Sequence, residues 1–108
     1  MIRNGREVLL GEAFIQELAL TEKYVGRDVA VRGRRFVSDL TSFLFETLAP
    51  LPYAHPTYAH PTATGRKLRR AVFRKEYIVI YEVSDAVVVF VFFHHSSRSQ
   101  PDLSFLDG

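Results

Sequence analysis

Residues 66–98 concentrate the side chains able to do chemistry. Arg66, Lys67, Arg69, Arg70, Arg74, Lys75 and Arg98 carry positive charge there, against Glu76, Glu82 and Asp85. Tyr77 and Tyr81 follow the first six cations, and the adjacent His94 and His95 precede Arg98. Metal-independent cleavage of RNA needs a base for the 2′-hydroxyl, a cation for the crowded phosphate and an acid for the leaving 5′-oxygen. His95 as base or acid, with Arg74 or Arg98 as phosphate clamp, would meet that inventory. Arginine suits the clamp because its planar fork holds two phosphate oxygens at once. Glu82 is a second candidate base, on the strand face opposite Tyr77 and Tyr81. The same cations equally suit an acidic protein segment, or serve only to keep a strand edge solvated.

Other chemistries fare worse. The chain has no Cys, which removes thiolate metal sites, disulfides and Cys nucleophiles together. His55 and His60 owe their spacing to a sequence repeat, and His94 and His95, adjacent on a strand, point to opposite faces, so neither pair is an obvious chelate. We expect no metal and no cofactor. A Gly-rich phosphate loop, HExxH and a nucleophile elbow are all missing. Ser96, Ser97 and Ser99 read as polar residues ending a strand, without a positioned acid.

The elements that must hold these groups fit within 108 residues, the length of one domain. The hydrophobic fraction is 47% and the charged fraction 24%, ordinary for a globular chain. Net charge is only +2, but residues 1–65 are neutral overall while residues 66–75 hold six cations and no acid. The longest apolar run, residues 86–93, is far below the ~20 residues of a membrane span, and the N-terminus lacks a secretory signal pattern. A soluble cytoplasmic domain covering residues 1–108 is the expectation.

Residues 7–10 read as a first strand, broken by Gly11. Phe14, Ile15, Leu18 and Ala19 recur at helical spacing over residues 12–24. Gly26 stops that helix, Asp28 suits the N-cap of the next, and Val29, Phe36, Val37, Leu40, Phe43, Leu44 and Leu48 form its apolar stripe to residue 48. So short a link forces an antiparallel helical hairpin. After Pro50 and Pro52, Tyr53-Ala54-His55-Pro56-Thr57 is repeated as Tyr58-Ala59-His60-Pro61-Thr62, which reads as a loop lengthened by duplication. Strands follow at 68–73, 77–83 and 86–93, with turns at 74–76 and 84–85. The last is apolar on both faces and therefore central, and the tail with Leu103, Phe105 and Leu106 docks as an irregular segment or one helical turn. The expected fold is α+β, in the order β-α-α-β-β-β, with a helical hairpin on one face of a mainly antiparallel sheet. Something must also cover the other face, or an apolar patch stays open to a partner.

Gly65-Arg66-Lys67-Leu68-Arg69, then Tyr77-Ile78-Val79-Ile80-Tyr81-Glu82-Val83, the apolar strand 89–93 and His95-Ser96-Ser97-Arg98 together resemble the RelE/ParE toxin superfamily. The detailed resemblance spans residues 65–103. It implies the toxin of a type II toxin–antitoxin (plasmid-stabilisation) pair, neutralised by a small cognate antitoxin, and therefore a hetero-oligomer. It also implies one of two targets. ParE-like members inhibit DNA gyrase without known hydrolysis, whereas RelE-like members cleave messenger RNA on the ribosome. The His95-x-x-Arg98 ending resembles the ParE side, and the chain lacks the terminal catalytic His or Tyr of several nucleases, so the gyrase reading leads. A nuclease would use Arg74, His95 and Arg98. An inactive relative that still binds antitoxin is a further alternative. Under the leading reading Arg66, Lys67, Arg69, Arg70, Arg74, Lys75, Tyr77 and Tyr81 are the target- or antitoxin-binding candidates.

Overall fold

The computed structural model describes residues 2–3, 5–60, 66–98 and 100–107. Strands β1 (Ile2–Arg3), β2 (Arg6–Leu10), β3 (Thr57–Tyr58), β4 (Leu68–Phe73), β5 (Tyr77–Val83) and β6 (Val87–His95) form one sheet in the order β1-β2-β6-β5-β4-β3. Helices α1 (Glu12–Val25) and α2 (Ala30–Ser42) connect β2 to the rest. The expected α+β layout is present, with β6 central between β2 and β5. Only the β2–β6 pairing is parallel, Glu7 to Val87 through Leu10 to Phe90; the other neighbours are antiparallel.

The hairpin differs from expectation in detail. In α1 the inward stripe is Phe14, Leu18, Thr21 and Val25, so Ile15 (51% exposed) and Ala19 fall on its flank. Helix α2 starts at Ala30, because Val29 has extended backbone, and Asp28 lies one residue too early to cap it. Val29 is accordingly outside the buried stripe. Regular α-helix ends at Ser42 rather than at residue 48. Residues Phe43–Leu48 form a π-helical turn, and the Ala49 amide donates five residues back to the Leu44 carbonyl, 2.9 Å away. The wider turn lets Leu44, Leu48 and Ala49 all reach the interior with Phe43 and Phe45 packed around them. Close approach of the helices depends on Gly33: a Cβ there would sit 2.4 Å from the Glu22 carbonyl oxygen.

The helix-side core joins Phe14, Phe36, Leu40, Leu44 and Leu48 to Ala71, Val79, Tyr81, Val88, Phe90 and Phe93 of the sheet. On the far face a second cluster joins Leu68, Ile80 and Val91 to Leu103, which is wholly buried. The tail thus supplies its own cover there, entering a short 3-10 turn at Ser104–Asp107. A bulge between Ile80 and Tyr81 pairs Ile80 with Phe92 but Tyr81 with Phe90, leaving Val91 unpaired. That extra residue resets the alternation of β6. Val88 and Phe90 face the helices before it, and Phe93 after it.

The duplicated segment is not wholly loop. Thr57–Tyr58 adds an edge strand, with Thr57 opposite Arg69 and Tyr58 opposite Leu68. The identical pentads therefore meet different surroundings: Tyr53 is half-exposed near Arg6 and Arg69, while Tyr58 packs on the far-face cluster. Pro61 and Thr62 lie outside the described residues.

Candidate functional site

Period-two alternation in β4 divides the basic segment, so the eight contact candidates named from the sequence do not share one surface. Arg69 lies on the helix side, donating from Nη1 to the His55 carbonyl at 2.6 Å and standing 5.0 Å from the Tyr53 ring. Arg70 lies on the far side, 5.8 Å from the Tyr58 ring. Arg66 donates to Glu82 Oε1 (2.9 Å) and to the Leu106 carbonyl (3.1 Å), tying the tail to β5. Arg74 forms an ion pair with Asp39 of α2 and lies over Phe36 and Phe73. Lys67 and Lys75 are exposed. Arg74 and Lys75 both have positive φ (51° and 63°), in a turn closed by the Glu76 amide on the Phe73 carbonyl.

Tyr77 and Tyr81 share the helix-facing side of β5, with Glu82 opposite, as expected. Tyr81 is wholly buried, its hydroxyl donating 2.6 Å to the Pro52 carbonyl, and burial pushes its pKa up to about 12. It is a core residue and not a surface contact. Tyr77 is half-buried among Phe36, Phe73 and Phe93. Burial and then Glu76 raise its pKa, with Arg98 and Arg74 opposing.

The two histidines do point to opposite faces. His95 lies on the helix side in a polar cavity of about 320 Å3 with Glu17, Thr21, Tyr24, Glu76, Tyr77, Ser97 and Arg98. Its Nδ1 accepts from the Ser97 amide (3.1 Å) and lies 2.7 Å from the Ser97 hydroxyl. In the neutral ring the proton therefore sits on Nε2, which faces Glu76 at 3.6 Å. Arg98 pairs with Glu17 at 3.0 Å. Sequence reasoning missed Glu17, Tyr24, Glu76 and Ser97. The first two come from α1, far upstream in the chain, and carried no local signal.

His94 occupies the far face in a second cavity of about 390 Å3, with Tyr58, Arg70, Ile78, Ser96, Arg98 and Gln100. Its Nδ1 donates to the His95 carbonyl (3.0 Å), which leaves Nε2 as the acceptor. Burial lowers its pKa, against that hydrogen bond. Gln100 donates to the Tyr58 hydroxyl at 2.6 Å. A wider cleft, about 690 Å3, lies at the start of β4, lined among others by Tyr53, Tyr58, Arg66, Arg69, Val83 and Asp85. Among the described residues no group of three or more His, Asp or Glu could hold a metal ion, and no helix is long and apolar enough to cross a membrane.

The sequence matches no family model and no curated protein. Solved structures do match in fold. A chain of the chromosomal ParDE TA system from P. aeruginosa superposes with TM-score 0.66 at 7% identity, covering 86% of this chain and 98% of that one. YafQ from E. coli strain BL21(DE3) gives TM-score 0.54 at 18% identity, covering 85% and 94%. A chain of the E. coli DinJ–YafQ toxin–antitoxin complex gives 0.54 at 16%, covering 84% and 92%. The chain has the fold of RelE/ParE-like toxins.

Proposed function

We propose that the chain is the toxin of a type II toxin–antitoxin pair, that it disables DNA gyrase by protein binding without hydrolysis, and that a cognate antitoxin neutralises it. The toxin role draws on the fold. The binding mode draws on one observation: each member of the nuclease trio faces a carboxylate of its own chain. Arg74 is with Asp39, His95 with Glu76 and Arg98 with Glu17. A phosphate clamp needs cations whose forks are open to the ligand, and these are engaged. The exposed cations in and flanking β4, Lys67, Arg70 and Lys75, with Arg69 and the half-buried Tyr77, are the contact candidates.

A second reading, ribosome-dependent cleavage of messenger RNA, is favoured by the far-face cavity. There a neutral, buried His94 offers Nε2 as base, and Arg70 has no carboxylate partner among the described residues. On this reading the catalytic histidine is His94, not His95.

The test is to induce the chain alone in a bacterial host and follow incorporation of label into DNA and protein over the first minutes. DNA synthesis failing first supports the gyrase reading. Protein synthesis failing first supports the nuclease reading, and His94→Gln then abolishes toxicity with the fold intact, whereas His95→Ala does not. If neither fails while soluble protein accumulates, the chain is an inactive relative and both readings fall.

A further inference from the structure

Helix α1 turns one stripe inward and leaves the opposite one without a partner. Glu12, Gln16, Ala19, Leu20 and Lys23 are all exposed, and Leu20 keeps 63% of its surface in solvent. At 3.6 residues per turn these positions fall within an arc of about 100°, opposite the inward Phe14, Leu18, Thr21 and Val25. The middle of the stripe, Gln16, Ala19 and Leu20, is uncharged, while Glu12 and Lys23 put opposite charges at its two ends. Those ends are three turns apart, about 16 Å along the helix axis. Neither charge has an ion-pair partner among the described residues. Glu12 instead accepts a long bond, 3.4 Å, from Gln16 Nε2 on the same stripe.

An acid at one end and a base at the other make the stripe complementary to a reversed copy of itself. A two-fold interface must meet that condition, because residue i contacts j while j contacts i. A different protein chain would need no such balance between the ends of one helix. The outer side of α2 fails the condition: its exposed charges are Arg32, Arg34, Arg35 and Asp39, and Asp39 is taken by Arg74. Two copies of α2 would therefore repel. Glu12 and Lys23 also suit the dipole of α1, but the dipole accounts for neither the uncharged middle nor the exposed Leu20.

We infer that the outer stripe of α1 is an interface between two copies of this chain, packed as antiparallel α1 helices about a two-fold axis. The axis lies level with residues 17–18. Lys23 then meets Glu12 of the other copy at both ends, and each Leu20 lies against Ala13 and Gln16 of the other copy. A single helix pair is at the small, weak end of protein interfaces, so the dimer forms at on the order of 100 µM and dissociates on dilution. The pairing does not rest on the choice of target.

The full chain is followed by sedimentation velocity from about 5 to 500 µM, a range that brackets weak association. The average sedimentation coefficient is expected to rise with concentration, and Leu20→Glu to remove the rise, with thermal melting as the check on folding. Glu12→Lys and Lys23→Glu should each weaken association about tenfold, since either creates a like-charge contact at both ends. The swap Glu12→Lys/Lys23→Glu should restore it to within about threefold of the unchanged chain. The chain has no Cys, so introduced thiols report the register cleanly. Glu12→Cys mixed with Lys23→Cys is expected to join through a short thiol-to-thiol cross-linker, and neither variant to join to itself, its two thiols being about 16 Å apart.

A chain that stays monomeric throughout overturns the proposal, and so does association that survives Leu20→Glu. Equal loss in the swap and in the single variants overturns it, unless the swap melts early, in which case the cysteine pair decides. Cross-linking of Glu12→Cys to itself overturns the antiparallel pairing. If the chain is monomeric alone and Leu20 becomes protected only on co-expression with an antitoxin, the stripe belongs to that partner and the proposal falls.

Discussion

Tyr77 and His95 stand directly opposite one another on β5 and β6, their rings edge-on with centroids 5.2 Å apart. This pairing exists because of the bulge at Val91. Without the extra residue, strict alternation from Val88 and Phe90 would turn residues 92 and 94 toward the helices and leave His94, not His95, beside Tyr77. The contact is a cross-strand pair at the rim of the core, and such pairs contribute about 0.5–1 kcal/mol. A double-mutant cycle with Tyr77→Leu and His95→Leu, read by urea unfolding, is expected to return a coupling of that size. Strictly additive losses would mean that the rings merely adjoin.

Gly33 is the tightest point between the helices. An alanine methyl would meet the Glu22 backbone oxygen at 2.4 Å, and a backbone atom inside α1 has nowhere to retreat. Overpacking of this kind costs about 1–3 kcal/mol, outweighing the better helix propensity of alanine. Gly33→Ala should therefore lower the unfolding midpoint clearly, while the exposed Ser38→Ala on the same helix leaves it nearly unchanged.

The turn joining β4 to β5 holds two consecutive non-glycine residues in the left-handed region, Arg74 and Lys75. Each such residue costs about 1–2 kcal/mol relative to glycine in the same conformation, partly offset because glycine loses more freedom on folding. Arg74 recovers some of this through Asp39 and the rings beneath it. Lys75 has no such partner among the described residues, and Lys75→Gly is expected to stabilise the chain by about 0.5–1 kcal/mol. If the same change weakens toxicity in spite of greater stability, the lysine is held in strain for contact with a partner.

Much of the frame was legible from periodicity. Apolar spacing gave both helices, and the Tyr77–Val83 strand and the centrality of β6 followed from β-branched and aromatic content. The hidden features share a cause: nothing local marks them. Residues 86–93 are apolar at every position, so a bulge among them leaves the pattern unchanged. The π-turn after Ser42 is equally silent, since Phe43, Leu44 and Phe45 suit either helix geometry. At the candidate site, the pairing of Arg98 with Glu17 joins residues 81 apart in the chain. The split of the basic segment needed no tertiary information, since alternation along β4 separates Arg69 from Arg70, yet the sequence reading kept the two in one set.

His94 makes stability depend on pH. Burial lowers its pKa below 6.5 in the folded chain, so between the folded and unfolded values the unfolded chain binds more protons. Its contribution is intact above pH 6.5 and is lost as pH falls below it toward the folded value. Melting temperature measured from pH 7.5 to 5 is expected to fall, and His94→Gln to flatten that slope. An unchanged slope in the variant would assign the dependence to the other histidines and carboxylates.

Leu103 shows how far the tail belongs to the fold. It is wholly buried against Leu68, Ile80 and Val91, and Arg66 fastens the following turn by its bond to the Leu106 carbonyl. The tail thus covers the centre of the far face, around Leu68, Ile80 and Val91, while Val72 stays half-exposed, and removing that cover opens the apolar side of β5 and β6 to solvent. Leu103→Ala should cost about 2–5 kcal/mol, the range for deleting a buried leucine side chain. Arg66→Gln should cost less, because Glu82 keeps access to water. An apolar dye that brightens with the Leu103 variant under native conditions, at a temperature where circular dichroism is unchanged, would show the tail lifting while the sheet persists. Loss of both signals together would instead make the tail an inseparable part of one cooperative unit.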